Sequence, residues 1–319
     1  YRNGQAKRWK DTNALVRTKR YVWGMTGAPT PNEPTDAFAQ VKLINPKKLP
    51  TPYFKAFREL TMRQLSQFRW VPKDNAQQTV HDTMQPSVRF TRAECVDLPP
   101  VMYVERDAPL TKDQLAAYKD MAANMRVQFK NDPKAIYAPN AGVKLGKLLQ
   151  IGAGFIYGDD GTSKLIDYTP RLNALLEVIE EAEKKVIVFL PFKRGVDRLY
   201  TDLAQHVSCA KVYGDTPKAE RDRIFTAFQT SADPHVLVAH PQCMSHGLTL
   251  TAANTIVWFS PTLSHETYEQ ANGRVTRPGQ DTHQLIVRLV ATPAERKSYM
   301  TLDRRGAVQD VLLELFNQD

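Results

Sequence analysis

Cysteine is scarce. Only Cys95, Cys209 and Cys243 occur among 319 residues. They are far apart and odd in number, so a disulfide framework is not expected, and their spacing is not that of a metal site. Reduced thiols in an intracellular protein are the expectation. No run approaches the roughly 18 apolar residues needed to cross a bilayer, so no membrane partner is expected. No secretory signal opens the chain, and it holds no repeat array or low-complexity tract. It begins at Tyr1 instead of Met, which reads as a fragment or a chain missing its beginning.

What is abundant is positive charge. The 43 Lys and Arg outnumber the 34 Asp and Glu, for a net +9. Residues 1–50 carry ten basic side chains against three acidic ones, Asp11, Glu33 and Asp36. A polyanion such as nucleic acid fits this excess. A solvated basic face fits it equally well.

The apolar pattern changes along the chain. Tyr21–Met25 reads as a buried strand after a polar, basic helix, with a Gly/Pro turn behind it. Asp36–Ile44 reads as a helix, short helices are expected around Phe54–Gln67, and Val101–Val104 resembles a strand. Thr111–Phe129 is a helix opened by a capping box of Thr111 and Gln114. Residues 130–168 are rich in Gly and Pro, with a helix over Lys144–Ile151, and read as a connector. From Pro170 helices alternate with short apolar strands, at Lys185–Leu190, Ala210–Tyr213, His235–Ala239, Thr255–Phe259 and Gln284–Val290. That alternation predicts an α/β fold, a parallel sheet covered on both faces. Ligands of such sheets sit beyond the carboxyl ends of the strands.

One segment follows such an end, Tyr268-Glu-Gln-Ala-Asn-Gly-Arg-Val-Thr-Arg-Pro-Gly-Gln280. The spacing predicts a helix over Thr267–Val275 that Pro278-Gly279 stops. Arg274 and Arg277 then share a face with Gln270. Two neighbouring cations repel unless an anion or water intervenes, and guanidinium forks match phosphate oxygens. On these residues alone, a solvated pair favoured by the helix dipole is the better account.

The segments read together weigh differently. Gln270–Gln280 resembles the sixth motif of superfamily-two helicases, and its closing Arg-Pro-Gly-Gln resembles the Swi/Snf-type, chromatin-remodeller-like DNA translocases. Ser245–Ala253 is similar to their fifth motif and Lys185–Phe192 to their fourth. Tyr213–Phe228 resembles the stretch just after the fourth. Met25-Thr-Gly-Ala-Pro-Thr-Pro-Asn32 resembles their third motif, with Ala28 where Thr is usual, and Phe90–Pro100 the passage between their lobes. The order is right over nearly the whole chain, and the wording resembles translocases of tailed bacteriophages. Missing are the phosphate loop and the magnesium-holding acidic motif of these motors. Gly142-Val-Lys-Leu-Gly-Lys147 is one residue too short and is followed by Leu148, so it reads as coincidence. Tyr1–Lys10 resembles the stretch directly behind the acidic motif.

The resemblance implies a RecA-like parallel sheet with flanking helices as second helicase lobe, preceded by the tail of a first RecA-like lobe and a helical connector. The expected boundaries are 1–110, 111–168 and 169–319. It implies the carboxyl-terminal part of an ATP-dependent DNA translocase or helicase, inactive alone, using ATP with Mg2+ only when the upstream lobe is present. Arg277 is then the finger on the γ-phosphate, Arg274 lies beside it, and Gln270 orients the pair or the nucleotide. Gly247, Thr26, Gly27 and Asn32 would serve the nucleotide. Duplex DNA would meet Lys193, Arg194, Ser245 and Thr249, mostly through phosphates. The location implied is the bacterial cytoplasm if the protein is phage-encoded. His240, His246 and His265 are not spaced as a metal site, and Trp258 and Phe259 read as core. Two other readings stay open, a non-catalytic nucleic-acid-binding module and an RNA helicase fragment.

Overall fold

Strands that are apolar at every position need helices on both faces, and the carboxyl-terminal half of the chain is built that way. The structure, a computed structural model, describes residues 2–27, 29–67, 69–88, 90, 95–129, 135–158, 160–244 and 248–315, with the side chains up to Gly306. It contains two compact units, residues 1–95 with 303–319, and residues 96–302.

The second unit holds a six-stranded sheet. In chain order its strands are β3 (Val101–Asp107), β8 (Lys185–Phe189), β9 (Cys209–Val212), β10 (Val236–Ala239), β11 (Ala253–Trp258) and β12 (Gln284–Val290). Their order across the sheet is β3-β12-β11-β8-β10-β9, and every pairing is parallel. β3 pairs with β12 from Val101↔Gln284 to Asp107↔Val290. The segment around Val101 therefore belongs with the second unit's sheet.

Alternate residues serve opposite faces, as the pleat requires. Val186 and Val188 pack with Leu175 and Val178 of helix α7 (Thr169–Glu181) and with Val196, Leu199 and Leu203 of α8 (Lys193–Leu203). Ile187 and Phe189 pack with Phe225 and Phe228 of α9 (Lys218–Thr230) and with Tyr268 and Ala271 of α10 (His265–Asn272). The connection after β8 thus covers one face, while the connections after β9 and β11 cover the other. Loops that part in this way leave a crevice at the carboxyl edge. Trp258 and Phe259 are fully buried.

Before the sheet lie helices α5 (Lys112–Asn124) and α6 (Ala141–Gly152), with short strand pairs β4 (Arg126–Val127) with β5 (Ile136–Tyr137), and β6 (Phe155–Tyr157) with β7 (Ser163–Leu165). Met121, Leu149, Ile151, Ile156 and Ile166 form their core. The expected capping box is present: Thr111 Oγ1 accepts from Gln114 N at 3.3 Å, and Gln114 Oε1 from Thr111 N at 3.0 Å. Gly142–Lys147 is helical and Lys147 donates to the Tyr157 carbonyl, so it is not a phosphate loop.

The first unit contains α1 (Lys7–Val16), α2 (Asp36–Ile44), α3 (Phe54–Thr61), a hairpin of β1 (Met62–Ser66) and β2 (Arg69–Pro72), and α4 (Ala76–Met84). Trp9 is buried and donates Nε1 to the Ala39 carbonyl at 2.7 Å. Phe38 meets Phe54 and Phe57 with ring centroids 5.6 and 5.5 Å apart. One expectation fails here and another holds only in part. Tyr21–Met25 forms no strand: Trp23 is 89% and Met25 100% exposed, and among the described residues no strand pairs with it. The helix begun at Phe54 stops at Thr61 and the chain turns into the hairpin, where Arg69-Trp70-Val71 favours extended backbone. The last helix, α11 (Pro293–Leu315), spans both units' residue ranges.

Candidate nucleotide-facing site

The arginine segment departs from the helix that its spacing predicts. α10 is capped by Ser264, whose side chain accepts from Thr267 N, and it ends at Asn272. Arg274 and Arg277 therefore lie in the turns beyond it. Asn272, Val275 and Thr276 are all buried, so the chain stays packed on the core past the end of the helix. Asn272 Oδ1 accepts from Trp258 Nε1 at 2.9 Å, pinning the helix end to β11.

Arg274 is only 6% exposed, so it is not a solvated surface cation. Its Nε donates to the Gln270 carbonyl at 2.9 Å and its Nη1 to the Leu248 carbonyl at 3.4 Å. Its own carbonyl accepts from Leu250 N at 3.0 Å. Burial, and then the nearby Arg277 cation, lower its pKa from the ordinary arginine value. Arg277 is half-exposed, and its Nε donates to the Gly273 carbonyl at 3.2 Å. Both guanidinium groups thus satisfy carbonyls left open where the helix ends. Gln270 points elsewhere, donating to Glu266 Oε1 at 3.1 Å. Only its backbone carbonyl meets Arg274.

Gly279 closes the segment at φ +94°, a left-handed conformation that suits glycine. Gln280 is buried and donates to the carbonyls of Ala253 at 2.8 Å and Val275 at 3.3 Å. The arginine segment is therefore tied to the start of β11 and to the loop after β10.

Of the other expected residues, Ser245 and Gly247 lie outside the described residues, as does His246. Thr249 is exposed, next to Leu248, whose carbonyl takes Arg274. Lys193 and Arg194 are exposed at the start of α8; Lys193 pairs with Asp215 and lies over the Tyr213 ring at 5.3 Å. His240, half-buried after β10, accepts at Nδ1 from Gln242 N at 3.3 Å and hydrogen-bonds the Pro191 backbone. Burial lowers its pKa below 6.5. Thr26, Gly27 and Asn32 belong to the first unit and are exposed. A Cβ at Gly27 would meet nothing within 4 Å. Asn32 N donates to Asp36 Oδ2 at 3.1 Å, which fixes this turn on the start of α2.

Sequence reasoning missed a buried ion pair behind the site. Arg171 and Glu295, 1% and 0% exposed, meet at 2.6 Å. Arg171 also donates to the Phe259 carbonyl just after β11. Glu295 Oε2 accepts from Ala291 N at 2.9 Å and from Thr292 N at 3.0 Å, just after β12. The pair clamps the ends of both strands that flank the arginine segment. Thr292-Pro-Ala-Glu295 is itself a capping-box pattern, the signal that could have revealed it.

A model of the helicase conserved C-terminal domain matches residues 170–279. Protein p41 of Acyrthosiphon pisum secondary endosymbiont phage 1 is 26% identical over 96% of this chain and 68% of its own length. The SWI/SNF-related matrix-associated actin-dependent regulator of chromatin subfamily A-like protein 1 of Xenopus tropicalis is 22% identical over 91% of this chain and 30% of its length. Residues 170–279 thus match a helicase C-terminal domain, and the chain is similar to Swi/Snf-type superfamily-two proteins. A Sulfolobus solfataricus SWI2/SNF2 ATPase core, solved in complex with dsDNA, shares the fold at TM-score 0.50 and 22% identity, over 97% of this chain and 66% of that one. The six-stranded sheet is thus a RecA-like second helicase lobe. This chain spans less than a third of the Xenopus relative, so what the larger protein does passes to it only by inference.

Proposed function

We propose that this helicase lobe supplies the arginines of an ATP-driven DNA translocase and part of its DNA track. The observation that carries the reading is the unequal burial of the pair. Arg274 is spent on the carbonyls of Gln270 and Leu248, whereas Arg277 stays half-exposed at the end of a pinned segment. Arg274 then acts as the positioning residue. Arg277 presents its guanidinium to the γ-phosphate, and its charge offsets the negative charge that builds as the phosphoryl group leaves. Gln270 holds the helix end through Glu266. Gly247, Thr26, Gly27 and Asn32 serve the nucleotide by resemblance, and Lys193, Arg194, Ser245 and Thr249 the phosphates of duplex DNA.

The ATP-binding role rests on the helicase family and the DNA on the relatives' stated partners. Among the described residues no group of three His, Cys, Asp or Glu could hold a metal, so magnesium would be held with ATP only where an upstream phosphate-gripping lobe is present. The likeness to the phage protein supports a phage origin and so a bacterial cytoplasmic location.

The test is ATP hydrolysis by the chain expressed with whatever its reading frame encodes ahead of Tyr1. Duplex DNA should stimulate it, and single-stranded DNA or RNA should do so less. Turnover that ignores DNA would contradict the reading, and stronger stimulation by RNA would favour an RNA helicase instead.

A further inference from the structure

The positive charge is not shared by the two units. Residues 1–95 with 303–319 carry 19 basic and 11 acidic side chains, whereas residues 96–302 carry 24 and 23. The helicase lobe is therefore nearly neutral, and a polyanion would be drawn to the first unit.

Within that unit one element displays the charge in order. From Phe54 to Lys73 stand Lys55, Arg58, Arg63, Arg69 and Lys73, against the single acid Glu59. The hairpin pairs Arg63 with Val71 and, past an irregularity between Gln64 and Ser66, Ser66 with Arg69. Arg69 and Val71 lie two apart on one strand, and Arg63 is directly opposite Val71. Arg63 and Arg69 therefore share one face of the hairpin. Both are exposed, and among the described residues neither has a carboxylate within ion-pair distance. The opposite face is the inner one. Met62 is buried there, and the Trp70 ring is covered by the Arg58 guanidinium at 4.3 Å.

We propose that the outward face of the hairpin Met62–Pro72 is a binding site for the phosphate backbone of duplex DNA. Two guanidinium groups on one face, unneutralised by acids, match phosphate oxygens. A two-stranded ribbon has the width that the major groove admits. Trp70 lies on the opposite face of the hairpin from Arg63 and Arg69, with one side of its ring covered by Arg58, so among the described residues the two arginines have no aromatic beside them to stack an unpaired base. The site lies in the first unit and needs no nucleotide, so it goes beyond the contacts assigned to Lys193, Arg194 and Thr249.

The experiment is binding of a labelled random-sequence duplex to the full chain across a salt series. The double variant Arg63→Glu/Arg69→Glu should weaken binding by about tenfold or more. Arg63→Gln/Arg69→Gln should flatten log K against log salt by about 1.8, close to 0.9 for each phosphate no longer neutralised. Arg63→Lys/Arg69→Lys should keep the slope. Circular dichroism melts identify any variant that fails to fold, and the Gln pair then decides. Unchanged affinity and slope in a folded Gln variant overturn the proposal. So does tighter binding of single strands that Trp70→Ala abolishes. Lys193→Glu/Arg194→Glu separates the two ideas: loss there with a silent hairpin overturns the hairpin alone, and loss at the hairpin with silence there overturns the loop contacts alone.

Discussion

Arg274 and Arg277 stand three residues apart and have different fates. Arg274→Ala leaves the carbonyls of Gln270 and Leu248 without a donor in a buried place, so it should lower stability by about 1–3 kcal/mol, read by thermal or urea unfolding. Arg277→Ala, at a half-exposed side chain, should leave the melt nearly unchanged while ATP turnover of the restored enzyme falls by ~10³–10⁵. His240 supplies a pH test. Its folded-state pKa lies below 6.5, so between the two values the unfolded chain binds the extra proton. Stability is then full above about pH 6.5 and falls as the solution is acidified toward the folded-state pKa. His240→Asn should flatten that part of the profile of melting temperature against pH. A slope unchanged by the substitution would show that another group is responsible.

At the scale of elements, the sequence was most readable where packing repeats. Gln284–Val290 and Asp36–Ile44 have the expected bounds, because each carries a full apolar period. It was least readable where one tertiary contact decides. α10 ends at Asn272, whose side chain is held by Trp258 fourteen residues upstream. Tyr21–Met25 looks like a buried strand, yet burial needs a neighbour that local pattern does not specify. The arginines were visible as a motif, but the burial of one and the exposure of the other were not. The capping-box pattern marks Glu295, but its pairing with Arg171 was hidden because the partners lie 124 residues apart. It holds the ends of β11 and β12, so Arg171→Met should cost about 3–5 kcal/mol by leaving Glu295 charged and unpaired. A double-mutant cycle with Glu295→Gln should recover part of that loss. Additive losses in the cycle would mean the two side chains act independently.

For the whole molecule, the parallel sheet and the likeness to helicases describe a RecA-like second helicase lobe, and no phosphate-gripping loop motif occurs in this sequence. The chain alone should therefore hydrolyse no ATP above background, and should bind duplex DNA without sequence preference and ever more weakly as salt rises. The basic excess lies in the first unit, and Arg274 and Arg277 lie in the second. The action of Arg277 on nucleotide is the centre of this picture. It is tested most directly by the duplex-stimulated ATP turnover of the protein restored upstream of Tyr1, with and without Arg277→Ala. The substitution should remove turnover while DNA binding and thermal stability persist. Turnover that survives in a folded Arg277→Ala protein would contradict a finger role for this arginine.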